Sequence, residues 1–235
     1  MKKNIMALDV DFVLLDWVGG LKPFMFEKGM DVEHLDKYIG STYYPTLQEL
    51  FKIEEESVCI NLMKEYNASP HIAHLPIFQE DSRDVFKEMY KNNIELVAVT
   101  CVGAEEKTRR LRMKNLQRYY GKEIFPYENV IAIPVRTSKE PHLRKLKERG
   151  SVIGFVDDRE GHLDEAKACD ITGILYTNDG KRSQCDNTVV IDCLNGLPEL
   201  SEKLIMEMER KSKAENSKII TYPFKNERSS KLKRW

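Results

Sequence analysis

The 235 residues, 41% hydrophobic and 32% charged, are enough to bury a sizeable core and suit one domain with an insertion or two modest domains. A formal charge of -1 leaves no global bias toward nucleic acid or membrane, so any electrostatic attraction must be local. Five cysteines, Cys59, Cys101, Cys169, Cys185 and Cys193, are odd in number, scattered and without Cys-x-x-Cys spacing; this argues against a disulfide framework or zinc site and for reduced thiols in a cytoplasmic protein.

The chain starts Met-Lys-Lys-Asn, but the apolar run behind it is broken by Asp9 and Asp11, which speaks against a secretory signal or membrane span. Ile5 to Leu8 reads as a strand that delivers Asp9 and Asp11 to its end on one face, and Asp16 follows one helical turn later. Two carboxylates about 4 Å apart repel by on the order of 4 kcal/mol at an effective dielectric near 20. A proton on one group, or a divalent cation between them, offsets that cost, and hard oxygen ligands at a strand end suit Mg²⁺ together with a substrate phosphate. A solvent-exposed acidic turn is the alternative.

From about residue 17 to 76 the strand signals give way to helical ones. Asp31 is placed to cap a short helix ending at Gly40, Pro45 suits the first turn of another through Phe51, and Glu54 to Tyr66 carries Val58, Leu62 and Met63 at helical spacing. This reads as a small helical insertion. Its aromatics, Trp17, Phe24, Phe26, Tyr43 and Tyr44, either stack on a base or fill the insertion's own core.

From about residue 77 helices and apolar strands alternate. A helix capped by Asp81 or Ser82 runs to Asn92, a strand covers Ile94 to Val99, a helix from Ala104 to Tyr120 is closed by Gly121, and a strand covers Asn129 to Ile133. A helix from Pro141 to Arg149 closed by Gly150, a strand over Val152 to Val156, a helix from His162 to Cys169 and short strands at Ile171 to Tyr176 and Thr188 to Ile191 follow. Strands apolar on both faces and separated by helices predict an α/β fold, a Rossmann-like parallel sheet with helices on both faces.

Ligands of such sheets bind beyond the carboxyl ends of the strands. Those ends carry Asp9 and Asp11 on the first strand, Thr100 on the second and Asp157-Asp158 on the fourth, while Lys139 starts the helix leading into the Asp157 strand. Each has an ordinary alternative: Thr100 as a helix cap, Lys139 as a solvated lysine, the acidic pair as a turn. Their coincidence at one sheet edge favours a site.

With these residues in place, the sequence resembles the haloacid dehalogenase superfamily of phosphotransferases over residues 4 to 16 and about 77 to 177. Residues 199–235 read by composition as a C-terminal charged helix and a basic tail; the resemblance implies an α/β core over 1–16 and 77–198 with the helical insertion over 17–76 as its cap. It implies that Asp9 is the nucleophile forming an aspartyl-phosphate, and that Asp11 is the general acid that protonates the leaving oxygen and then activates water. Thr100, Cys101 and Lys139 would bind the phosphoryl oxygens, with Lys139 balancing charge, and Asp9, Asp11, Asp157 and Asp158 would hold Mg²⁺. Phe12 stands where the family usually has glycine and must tolerate the backbone turn that glycine makes easily.

The segments Val135-Arg-Thr-Ser-Lys139 and Gly154-Phe-Val-Asp-Asp-Arg159 look like motifs of 5'(3')-deoxyribonucleotidases, and the Asp-Asp-Arg also looks like the 3'-phosphatase domain of polynucleotide kinase-phosphatases. The expected substrate is a small phosphomonoester, with nucleotides first and a 3'-phosphorylated nucleic acid end second, and no membrane partner. A non-catalytic binding module is the competing class, supported by Phe12 alone; a phospho-accepting receiver would place the acidic pair first and the lone acid later, the reverse of what stands here. Lys107, Arg110, Lys114 and Arg118 fall on one helical stripe, either a phosphate-contacting surface or a solvated face. His162 reads as a helix-start residue rather than a ligand, and the tail ending Lys-Leu-Lys-Arg-Trp235 as a basic arm or a solubilising end, mobile in part.

Overall fold

The computed structural model describes residues 3–43, 45–178, 183 and 188–219, the last five by backbone alone. The strands are β1 Asn4–Leu8, β2 Ile94–Thr100, β3 Val130–Ala132, β4 Ser151–Asp157, β5 Gly173–Tyr176 and β6 Thr188–Ile191. They form one sheet in the order β3-β2-β1-β4-β5-β6 with every pair parallel. The helices are α1 Trp17–Glu27, α2 Leu47–Phe51, α3 Glu56–Ala68, α4 Ser82–Lys91, α5 Glu106–Tyr120, α6 Glu140–Arg149, α7 Glu160–Lys167 and α8 Leu197–Ile219.

The period-2 geometry of a strand sends alternate residues of β1 to opposite faces. Met6 and Leu8 join one apolar cluster with Phe86 and Met89 of α4, Leu116 and Tyr120 of α5 and Leu204 of α8. Ile5 and Ala7 join the other, with Leu143 and Leu146 of α6 and Leu163 and Ala166 of α7. Each large apolar side chain so buried contributes about 1.5–3 kcal/mol, which is why a strand with no polar face sits at the centre of the sheet. The β1–β4 register shifts between Ile5 and Met6. Val152 and Phe155, three residues apart, therefore share the second face.

Between β1 and α4 the helical expectation holds with three differences. The segment opens with α1, eleven residues begun by Asp16, whose carboxylate accepts from the Gly19 N–H at 2.8 Å and the Gly40 N–H at 3.0 Å. Gly20 is required there, because a Cβ would lie 2.1 Å from Leu75 Cδ2. After Asp31 the chain makes only a 3₁₀ turn, Glu33–Lys37. The next helix begins after Thr46 rather than at Pro45, because Thr46 and Glu49 close a capping box. Trp17, Phe24, Phe51 and Tyr66 of this segment belong to the same apolar cluster as Met6 and Leu8. Trp17 and Phe24 are core, while Phe26 is 71% exposed; Tyr44, Cys185 and the basic tail over 220–235 lie outside the described residues. No helix among the described residues is long and apolar enough to cross a membrane.

Candidate active site

The site begins where β1 stops. Beyond Leu8 the chain folds into a tight loop in which the Leu14 and Leu15 N–H groups both donate to Val10 O at 2.9 Å and the Phe12 N–H donates to Leu15 O at 3.0 Å. Closing this loop puts Phe12 at φ 63°, in the left-handed region that glycine enters easily, so Phe12 does make the turn expected where the family usually has glycine. The loop presents Asp9 and Asp11. Asp9 is nearly buried, and its Oδ1 accepts from the Val10 N–H at 2.7 Å.

Lys139 precedes α6 and is wholly buried, not a solvated lysine. Its Nζ lies 2.9 Å from Asp9 Oδ1 and 2.8 Å from Asp157 Oδ2. Glu165 Oε2 holds its backbone N–H at 2.6 Å. Asp157, the last residue of β4, also accepts from the Arg159 N–H at 2.9 Å and faces His162 Nδ1 at 3.0 Å. Asp158 is buried with Oδ2 unpartnered, and Thr100 at the end of β2 is buried with Oγ1 unpartnered. Because α5 starts at Glu106, Thr100 is not its cap. The structure thus gathers Asp9, Lys139, Asp157 and the adjoining Asp158 at one edge of the sheet, where β1, β2 and β4 end.

The electrostatics separate these groups. Burial works against the charge of Asp157, but Lys139 and His162 outweigh it and hold the carboxyl at about 2. Burial is likewise the main force on Asp158, and with Asp157 and Asp9 beside it the carboxyl rises well above the ordinary range. Asp9 is raised by burial against the pull of Lys139. Asp11 is raised to about 6 by burial, opposed by Arg112. Cys101 is pushed up to about 12 by burial, so it is a neutral thiol rather than a nucleophile.

Two residues that motif reading passed over touch the site. Arg112, on α5, is fully buried with Nη2 2.8 Å from Asp11 Oδ1. His162 occupies the first turn of α7 as expected, but it also faces Asp157 and clusters with Asp9 and Asp157 closely enough to share a metal ion. The basic stripe points elsewhere. Lys107, Arg110, Lys114 and Arg118 are all exposed, and Arg110 is bound to Glu106 at 2.6 Å.

Two joined cavities lie over these groups. An inner chamber of about 70 Å³ is lined by Asp9, Asp11 and Asp158 on one side and Phe12, Trp17 and Met63 on another. An outer chamber of about 510 Å³ shares Met63, Cys101, Arg159 and His162 with it and adds Thr46, Gln48, Arg136 and Ser138 among others.

Comparison with solved structures follows this geometry. A candidate phosphatase from Clostridium difficile superposes with a TM-score of 0.61 at 18% identity, covering 86% of this chain and 99% of its own. A candidate haloacid dehalogenase hydrolase from Bacillus subtilis, crystallised with magnesium, superposes with a TM-score of 0.56 at 12% identity, covering 86% and 99%. The chain has the haloacid dehalogenase-like fold. In sequence it is 28% identical over 222 residues to a 32.4 kDa protein of unassigned function from the gp30–rIII intergenic region of Enterobacteria phage T4, spanning 94% of this chain and 76% of that one. No family model matches the chain.

Open parallel α/β sheets bind their ligands beyond the carboxyl edge, and the charge there is unbalanced. Asp9, Asp11, Asp157 and Asp158 bring four carboxylates against the two fixed cations Lys139 and Arg112. The deficit, the unpartnered Asp158 oxygen and an all-oxygen acidic donor set fit a hard divalent cation. Asp157, already bound by three donors, has less left to offer than Asp158.

Proposed function

We propose that the chain is a Mg²⁺-dependent phosphomonoester hydrolase that works through an aspartyl-phosphate on Asp9, with nucleotides as the preferred substrate class. The observation that carries this reading is Lys139 buried between Asp9 and Asp157, with the adjoining Asp158 offering an unpartnered oxygen and the end of the neighbouring β2 a buried, unpartnered Thr100 hydroxyl.

In the first step an Asp9 oxygen attacks phosphorus, the bond to the leaving oxygen breaks, and the Asp11 carboxyl gives that oxygen its proton. In the second, Asp11 as carboxylate takes a proton from water, the water oxygen bonds to phosphorus, and the bond to Asp9 breaks, returning the carboxylate and inorganic phosphate. Lys139 draws Asp9 toward its ionised form and pairs with charge on the phosphoryl group, and Thr100 Oγ1 is a donor for a phosphoryl oxygen. Asp9 and Asp158, with Asp157 behind them, would hold Mg²⁺, which supplies a counter-charge for the equatorial oxygens. The Asp11 side chain, taken up by Arg112, suits proton transfer better than metal ligation.

Residues 17–76 act as the cap that closes over the substrate. The outer chamber, at about 510 Å³, falls in the range of roughly 300–1,000 Å³ typical of small-ligand sites and carries donors for a sugar or base. A polynucleotide end is the second reading, though the exposed basic stripe shares no lining residue with either chamber.

The test is phosphate release with Mg²⁺ from deoxynucleoside monophosphates and from a 3'-phosphorylated oligonucleotide, with Asp9→Asn as control. Release from the mononucleotides, lost in the variant, is the expected result. Preference for the oligonucleotide would make the protein an end-processing enzyme, and binding of Mg²⁺ without release from either would favour a non-catalytic module.

A further inference from the structure

Arg112 lies outside every motif that marks the site, yet it is among the largest fully buried side chains of the described residues. Helix α5 turns Lys107, Arg110, Lys114 and Arg118 to solvent and keeps Thr108, Arg112, Asn115 and Leu116 inward. An apolar residue would fill the inward position at no desolvation cost, and a buried ion pair is often no more stabilising than such a residue. A guanidinium kept for packing or structure would also have its five donors used. Here Nη2 alone is engaged, 2.8 Å from Asp11 Oδ1 and 3.1 Å from Asp11 Oδ2, while Nε and Nη1 have no partner among the described residues. A single terminal nitrogen thus bridges both oxygens of one carboxylate, and that carboxylate lines the inner chamber.

We propose that Arg112 is a positioning residue that clamps the Asp11 carboxylate in the rotamer from which it exchanges protons with the leaving oxygen and the attacking water. The inference rests on the reading of Asp11 as the acid and base of a phosphomonoesterase. Nη2 bridges both oxygens of the carboxylate and so fixes its plane as well as its place, and the rigid, fully buried guanidinium holds that nitrogen where a flexible lysine stem would leave an ammonium free to move. The unclamped carboxylate would rotate among staggered wells, and misplacement by about 1 Å costs on the order of a hundredfold in rate.

The experiment compares p-nitrophenyl phosphate, whose phenolate departs without a proton, with a primary alkyl phosphate, whose alkoxide needs one. In Arg112→Met, kcat/KM for the alkyl ester is expected to fall roughly a hundredfold, the low end of what general acid catalysis contributes. For the aryl ester kcat/KM changes little, but kcat falls, because water attack on the aspartyl-phosphate still needs Asp11. Stopped-flow traces with the aryl ester then show a burst of nitrophenolate equal to the enzyme concentration. Arg112→Lys, which keeps the charge and loses the rigid planar group, is expected to show the same split in milder form, and carries the comparison if the methionine variant fails to fold. The double variant Asp11→Asn with Arg112→Met should be no slower than Asp11→Asn alone, as for residues acting through one another.

Parallel losses on both esters with no burst, or additive losses in the double variant, would overturn the proposal and leave Arg112 a structural ion pair. A wild-type protein that releases phosphate from neither ester nor any mononucleotide would instead remove the phosphatase reading, and this inference with it.

Discussion

Lys139 Nζ lies 2.9 Å from Asp9 and 2.8 Å from Asp157, so one buried ammonium joins carboxylates from the ends of two adjacent strands. Burial alone would drive the ammonium toward neutrality; Asp157 and Asp9 overcome this and raise it above its ordinary range. The two carboxylates thus favour its charged form.

Lys139→Met is therefore expected to lose stability and activity together. Removing one member of a buried pair leaves an uncompensated charge and costs about 3–5 kcal/mol, which for a chain of this size lowers Tm by roughly 6–20 °C. Phosphate release should fall by at least about a hundredfold, as when a preorganised electrostatic contact is deleted. Calorimetry and a phosphate-release assay on the same sample check both. An unchanged Tm would mean that Asp9 or Asp157 takes up a proton in place of the lysine's charge.

The Asp158 carboxyl is buried, carries an unpartnered oxygen and sits beside two other carboxylates, so without a cation its charge opposes folding. Asp158→Asn keeps the shape and removes that charge. In chelator, the variant should melt no lower than the wild type. Mg²⁺ should raise the wild-type Tm, because a ligand at a hundred times its Kd stabilises by about 2.7 kcal/mol, or roughly 5–11 °C here; the variant should show little of that rise. An equal Mg²⁺ shift in both proteins would place the cation elsewhere.

Phe12 separates backbone strain from packing. It is 3% exposed and held at φ 63°, where L-residues other than glycine pay about 1–2 kcal/mol. Phe12→Ala and Phe12→Gly both lose the ring, at roughly 3–5 kcal/mol, but only glycine also relieves the turn. Phe12→Gly is accordingly expected to be the more stable of the two by about 1 kcal/mol. Urea titration of both variants measures that difference, and equal midpoints would mean that the loop relaxes out of the left-handed region in the alanine variant.

Strand-end polarity in the sequence was enough to place Asp9, Thr100 and the Asp157-Asp158 pair at one edge, because a parallel sheet must align the carboxyl ends of its strands; Lys139 reaches that edge from the start of α6. Arg112 was hidden for a physical reason: charged residues on a helix usually face water, and α5 carries five other basic residues. The available signal was its register, since Thr108, Arg112 and Leu116 recur at intervals of four on the face that turns inward. His162 was missed because its contact with Asp157 depends on how tightly the turn after β4 enters α7. Helix α1 lacked clear periodicity, with Gly19, Gly20 and Pro23 inside it; only the close approach of Leu75 and Tyr66 explains Gly20.

Arg136 offers a way to ask what occupies the outer chamber. It adopts φ 60° in the turn before α6, lines the chamber, and reaches Glu56 of α3, another lining residue, at 2.7 Å. Both side chains are more than half exposed (57% and 56%), and pairs of that kind contribute about 0–1 kcal/mol. Removing the arginine should thus leave the fold nearly unmoved. If the chamber takes the sugar or base of a nucleotide, a hydrogen bond from the guanidinium to that group is worth about 1.5–3 kcal/mol. Arg136→Ala should then raise KM for deoxynucleoside monophosphates roughly tenfold or more, with kcat little changed, since the contact is made equally in ground and transition states. A small aryl phosphate, which offers Arg136 no such group, should keep its KM. Equal KM values for both proteins on the nucleotides would place the remainder of the substrate outside this chamber, while a common fall in kcat on all substrates would mean that Arg136 supports the loop carrying Lys139 rather than the ligand.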